Sequence, residues 1–124
     1  MVTIDEAHEI LEKIAEELPC EFYKHLNGGI ILLPDVKTSQ DGLCILGEYT
    51  TCSSMGRYIT IYYGSFEWVF GKDATTEKMA KELKSTLLHE FTHHFECLAG
   101  DNSLEKEDER KLEEYRRKKR HIRR

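Results

Sequence analysis

The sequence predicts an α+β fold in one domain, and three observations carry that prediction. An apolar stripe at helical spacing opens the chain, and short β-rich runs fill its middle. A long, strongly periodic helix then surrounds residue 90. The whole chain has 124 residues, enough for one hydrophobic core but not for two.

Thr3-Ile4-Asp5-Glu6 has the form of a capping box, with Glu6 three residues after Thr3. Ile4, Ala7, Leu11, Ile14, Ala15 and Leu18 follow on one helical face, Ile10 widens it, and Pro19 ends the run. A helical turn over Glu21 to Leu26 stops at Asn27-Gly28-Gly29. Ile30 to Leu33 is a short apolar run closed by Pro34 and predicts a buried strand. Residues 35–42 are polar and predict a loop.

Leu43 to Tyr49 and Arg57 to Tyr63 predict two strands, with residues 50–56 between them. Phe66 to Phe70 fits a further strand or an irregular segment. The longest helix runs from about Thr76 to Ala99 and ends at Gly100, a suitable C-cap. Asp101-Asn102-Ser103 can cap a last helix from Leu104, with Leu104, Leu112 and Tyr115 as its few apolar positions. Residues 1–115 therefore form the domain, and residues 116–124 a basic tail.

That tail holds 7 of the 18 Lys and Arg residues, so the body is strongly acidic although the net charge is only −5. A basic run can meet nucleic acid or an acidic partner, but a solvated helix end accounts for it more simply. The longest apolar runs are too short to cross a bilayer. The acidic start, Met1 to Glu6, lacks the layout of a secretory signal. A cytoplasmic protein with no membrane partner is the expectation. Cys20, Cys44, Cys52 and Cys97 form no C-x-x-C pair, which suits free thiols in a reducing compartment.

His89-Glu90-Phe91-Thr92-His93 is an HExxH sequence on the long helix. Residues four apart share a helical face, so both imidazoles can address one zinc ion, while Glu90 lies about 100° around the helix beside it. This suits zinc-assisted hydrolysis with Glu90 as general base. Leu83, Leu87, Phe91, Phe95 and Leu98 occupy the opposite arc of the wheel, so the apolar face and the metal face are distinct. His94 falls inside the apolar arc and is expected to be structural.

Catalytic zinc commonly takes three protein ligands and leaves one position open. The downstream candidates are Glu96, Asp101, Glu105, Glu107 and Asp108. Glu96 shares the face of the histidines but lies a turn beyond His93, which suits a role behind the ligands. Asp108 lies amid the apolar stripe of the last helix, where a carboxylate needs a partner, so it is the preferred third ligand. Glu105 is its rival. Cys97, four residues after His93, is a weaker candidate because the flanking carboxylates suit hydrolytic zinc better.

His89 to Glu96, continuing through Leu98-Ala99-Gly100 to Leu104-Glu105 and Glu107-Asp108-Glu109, resembles the small bacterial zincin-like metallopeptidase family. Leu43 to Tyr49, Arg57 to Phe66 and Asn27-Gly28-Gly29 resemble the same family, so the likeness covers about residues 3–115. It implies a minimal zincin: a small mixed sheet packed on an N-terminal helix and a long active-site helix, with a C-terminal helix. It also implies zinc on His89 and His93 and Glu90 as general base. Many relatives carry glycine in place of Glu96 and a nearer aspartate, a departure that bears on the third ligand.

The expected function is zinc-dependent peptide hydrolysis, with a peptide or protein as the partner. Tyr49, Tyr58, Tyr62 and Tyr63 are candidate donors to an oxyanion, and an edge strand between residues 43 and 63 could hold an extended peptide. One alternative is a metal-dependent endoribonuclease, which the basic tail would suit. The known rRNA-maturation family, however, has glycine after its first histidine and a third histidine downstream. A non-enzymatic, zinc-stabilised binding module is the other alternative.

Overall fold

The computed structural model describes residues 2–71 and 73–100. Helix α1 spans Ile4–Glu17, and its start is the capping box that the sequence predicts. The Glu6 amide donates to Thr3 Oγ1 at 3.1 Å, and the Thr3 amide donates to Glu6 Oε1 at 2.9 Å. Two amides that a helix start leaves without intrahelical acceptors are thereby satisfied. Ala7, Leu11 and Ile14 form the buried face of α1. A single 3-10 turn, Cys20–Tyr23, follows Pro19, shorter than the helical turn expected there. Its Phe22 is fully buried.

Strand β1 is Gly29–Leu33 and is half-buried. β2 (Lys37–Thr38) and β3 (Cys44–Ile45) form a small antiparallel ladder of their own. The segment expected to be only a loop thus contains a short strand. Two hydrogen bonds join that strand to Ser65. The Lys37 amide donates to Ser65 Oγ at 3.0 Å, and the hydroxyl faces the Lys37 carbonyl at 3.4 Å. β4 is Gly47–Cys52 and β5 is Gly56–Tyr62. β4 runs three residues past Tyr49, so the reversal between the two strands is confined to residues 53–55.

The main sheet has the order β1-β5-β4, with β1 parallel and β4 antiparallel to the central β5. Ile59 and Ile61 of β5 are wholly buried in the core shared with the helices. Directly opposite residues of an antiparallel pair share a face. Tyr49 and Gly47, opposite Ile59 and Ile61, therefore point to that core side. Glu48, Thr60 and Tyr62 point the other way.

Residues 66–70 correct a sequence expectation, because they belong to helix α2, Tyr63–Phe70, and not to a strand. Tyr63, Phe66 and Phe70 are spaced by three and four residues, and Phe66 and Phe70 stack at 5.8 Å. The short run was ambiguous between periods, and contacts with β1 and β3 decide for the helix. Gly64 permits the close approach of residues 34 and 35. A Cβ there would lie 2.6 Å from the Pro34 carbonyl oxygen.

Helix α3 spans Thr76–Gly100, as its periodicity predicts. Leu83, Leu87, Phe91 and Phe95 face the core, where Phe22 meets the rings of Phe91 and Phe95 edge-on at 5.3 and 5.5 Å. No helix among the described residues is long and apolar enough to cross a membrane. The expected last helix and the basic tail lie outside the described residues. Truncating Phe22 to Ala should cost about 3–5 kcal/mol, against about 1 kcal/mol for Thr3→Ala at the exposed cap. Denaturant midpoints of the two variants check the ranking, and equal losses would remove Phe22 from the centre of the core.

Candidate active site

With the apolar arc of α3 turned inward, His89 is half-buried and His93 exposed on the other side of the helix. Their rings are perpendicular, with centroids 4.8 Å apart and Nε2 atoms at 3.2 Å. Two imidazole nitrogens at this distance either share a proton or face a common cation, because opposed lone pairs repel. Ligands about 2.0–2.1 Å from a tetrahedral zinc lie about 3.3 Å from one another. The separation of the two nitrogens matches that of neighbouring ligands on such an ion.

Glu96 Oε1 approaches His93 Nδ1 at 3.4 Å. A carboxylate on this side favours the tautomer with hydrogen on Nδ1, which leaves the Nε2 lone pair directed toward His89. Glu96 thus stands behind the histidine and not beside it as a ligand. Among the described residues, no group of three His, Cys, Asp or Glu side chains is placed to hold a metal ion. Cys97 lines the same cleft without joining the pair, so the cysteine alternative receives no support. The two preferred third-ligand candidates, Asp108 and Glu105, lie outside the described residues, as do Asp101 and Glu107.

Glu90 is only 3% exposed, although His89 is half-buried and His93 exposed. It lines a cleft of about 670 Å³ between α3 and β4, with His93, Glu96 and Cys97 on one wall and Gly47, Tyr49 and Thr51 on the other. Helix and strand come close here because position 47 is glycine. A Cβ there would lie 2.9 Å from the Thr86 methyl group, one turn before Glu90.

His94 anchors the same wall. It is completely buried, with its Nε2 2.9 Å from the Lys24 carbonyl and its Nδ1 2.7 Å from the Tyr49 hydroxyl. A carbonyl only accepts, so Nε2 carries the hydrogen and Nδ1 accepts from Tyr49. Burial holds the imidazole below its ordinary pKa, while its bond to Lys24 opposes that shift. The structural role expected for His94 is therefore observed: it ties β4 and the 3-10 segment to α3.

The tyrosines expected as oxyanion donors are otherwise engaged or turned away. Tyr49 donates to His94, Tyr62 to Glu48 at 2.7 Å, and Tyr63 to the Val2 carbonyl and Glu67. Tyr58 lies opposite Thr50, on the sheet face away from α3. What residue-type reasoning missed is the backbone of β4. The Tyr62 amide donates to the Leu46 carbonyl, so alternate residues from Leu46 onward bond to β5. The amide and carbonyl groups of Gly47 and Thr51 consequently point to the outer edge of β4, beside the histidines. Strand register carries that signal, and no side chain displays it.

The site belongs to a small α+β domain whose helix α3 presents an HExxH face to a sheet edge. The chain resembles a conserved hypothetical protein from Thermus thermophilus at 34% identity, over 81% of this chain and 100% of that one, with a TM-score of 0.68. It belongs to the family of that protein. No family model and no curated protein matches the chain.

Zinc titrated against the Glu96→Ala variant should bind about 10- to 100-fold more weakly than to the unaltered chain. Competition with a chromophoric chelator measures this, and unchanged affinity would exclude Glu96 as the group that orients His93.

Proposed function

We propose that this protein is a zinc-dependent peptidase built as a minimal zincin. The observation that carries the reading is the convergence of His89 and His93 at 3.2 Å, with the buried Glu90 on the cleft side of the same helix. His89 and His93 would hold the ion through Nε2, with Asp108 as the preferred third ligand and Glu105 as the alternative. Zinc bound there would lower the pKa of a water molecule and polarise a substrate carbonyl.

The residues of the chain supply the rest. Glu90, on the floor between α3 and β4, takes a proton from water at its carboxylate and returns it to the departing amine. Burial against the Gly47 segment restricts the motion of that carboxylate, so little conformational freedom remains to be lost during reaction. Glu96 keeps the His93 ring in register. The outward amides of β4 can donate to the substrate, a role that the tyrosine hydroxyls are poorly placed to fill.

The cleft disfavours an endoribonuclease. Glu90 and Glu96 line it, and among the described residues no Lys or Arg lines it or its neighbouring pocket, so a phosphodiester would meet like charge there. The acidic body of the chain acts in the same direction. Among the described residues His93 is exposed and His89 half-buried, which favours an open, catalytic zinc site over a closed, purely structural one.

Glu90→Gln should lower peptide hydrolysis about 10²- to 10⁴-fold while zinc stoichiometry remains that of the unaltered chain. Turnover that survives the change would eliminate Glu90 as the base. Asp108→Ala is expected to weaken zinc binding and Glu105→Ala to leave it intact. The reverse order in a zinc titration transfers the ligand role to Glu105.

A further inference from the structure

The cleft continues past Glu90 into a second pocket of about 610 Å³, and the two share Ile45, Gly47 and Glu90. Their characters differ. The pocket on the His89 side is walled by Leu43, Ile45, Leu46, Val69 and Phe70. The part on the His93 side carries Glu48, Thr51, Glu96 and Cys97. Glu90 stands at the junction of an apolar pocket and an acidic one.

Two rim residues of the apolar pocket are conspicuous for their exposure. Leu43 is 68% exposed and Val69 is 47% exposed, and only five large hydrophobic side chains among the described residues are exposed to a comparable degree. Apolar groups left in water beside a reactive carboxylate mark a contact surface. The wall that carries Leu43 is also held in place. The Leu43 amide donates to Ser39 Oγ at 3.2 Å, and the Ser39 amide donates to the Leu43 carbonyl at 2.8 Å. Behind it, Lys37 Nζ donates to Glu48 Oε1 at 2.9 Å and the Lys37 backbone is bonded to Ser65. The pocket is thus preformed, and filling it requires little ordering of the wall.

Beside both pockets runs β4, the terminal strand of the main sheet among the described residues, with the Gly47 and Thr51 backbone groups directed outward. An extended chain that adds to this edge places alternate side chains toward the cleft. Resting on the peptidase reading above, we propose that the substrate is an extended polypeptide segment that seats a bulky aliphatic or aromatic side chain in the Leu43–Val69 pocket. On the far side of the cleaved bond, toward Glu96, it carries an uncharged or basic side chain. An acidic residue is rejected at either position. In the apolar pocket it would lose hydration against aliphatic walls and meet Glu90, and on the other side it would face the Glu96 carboxylate.

The test uses the full zinc-loaded chain and a randomised peptide mixture, with cleavage positions read by mass spectrometry. Bulky apolar residues should be enriched about 10-fold or more over Asp and Glu on one side of the cut, and Leu43→Lys or Val69→Lys should erase that preference. Both positions are exposed, so the chain keeps its core. Cleavage without this preference, or a preference that both variants retain, overturns the assignment. If no peptide is cut, the peptidase reading fails separately. Fluorescence anisotropy of labelled peptides on zinc-loaded Glu90→Gln then decides the pocket. Tighter binding of apolar peptides that Leu43→Lys abolishes upholds it, and absent or unselective binding overturns it.

Discussion

Phe91 and Phe95 lie about one turn apart on α3, and both meet Phe22 edge to face in the middle of the core. Burying such rings stabilises the fold by about 1.5–3 kcal/mol each, and their pairwise geometry adds to this. The consequence reaches beyond stability, because these contacts fix the rotation of α3 about its own axis. With the phenylalanines inward, His89 and His93 can only face outward, and Glu90 is left at the boundary beside β4. A rotation of one residue about the axis would bury a histidine without a partner or expose Phe91.

The distance between α3 and β4 is set by a second, polar device. His94 accepts from Tyr49 on the strand and donates to the Lys24 carbonyl, so one buried imidazole links three parts of the chain. Leaving either ring nitrogen unpaired in that position would cost about 1–3 kcal/mol. Gly47 complements the tether by allowing close contact with Thr86. Cleft width therefore follows from one hydrogen-bonded histidine and one missing side chain.

The small β2–β3 ladder gains its importance from what it anchors. Ser65 at the start of α2 and Glu48 on β4 both bond to Lys37, joining the ladder to helix and sheet. Hydrogen bonding to Tyr62 and Lys37 holds the Glu48 carboxyl below its ordinary pKa, although its partial burial acts in the opposite direction. The carboxylate stays charged and the wall of the apolar pocket stays attached. An acidic lining on one side and an apolar one on the other thus share the same framework.

The capping box, the apolar stripe of α1, the extent of α3 and the separate faces of its HExxH sequence were all legible in the sequence. Each depends on spacing within one element, which backbone geometry converts directly into a face. Even the inward place of His94 followed from the wheel. Residues 66–70 were not legible as a helix, because a short apolar run suits either period and packing against β1 and β3 decides between them. Position 37 looked like loop for a related reason: its strand pairing depends on partners distant in sequence. The identity of the His94 partners, the outward backbone groups of β4 and the contrast between the two pockets also needed tertiary structure. These properties belong to pairs of elements, and only their packing creates them.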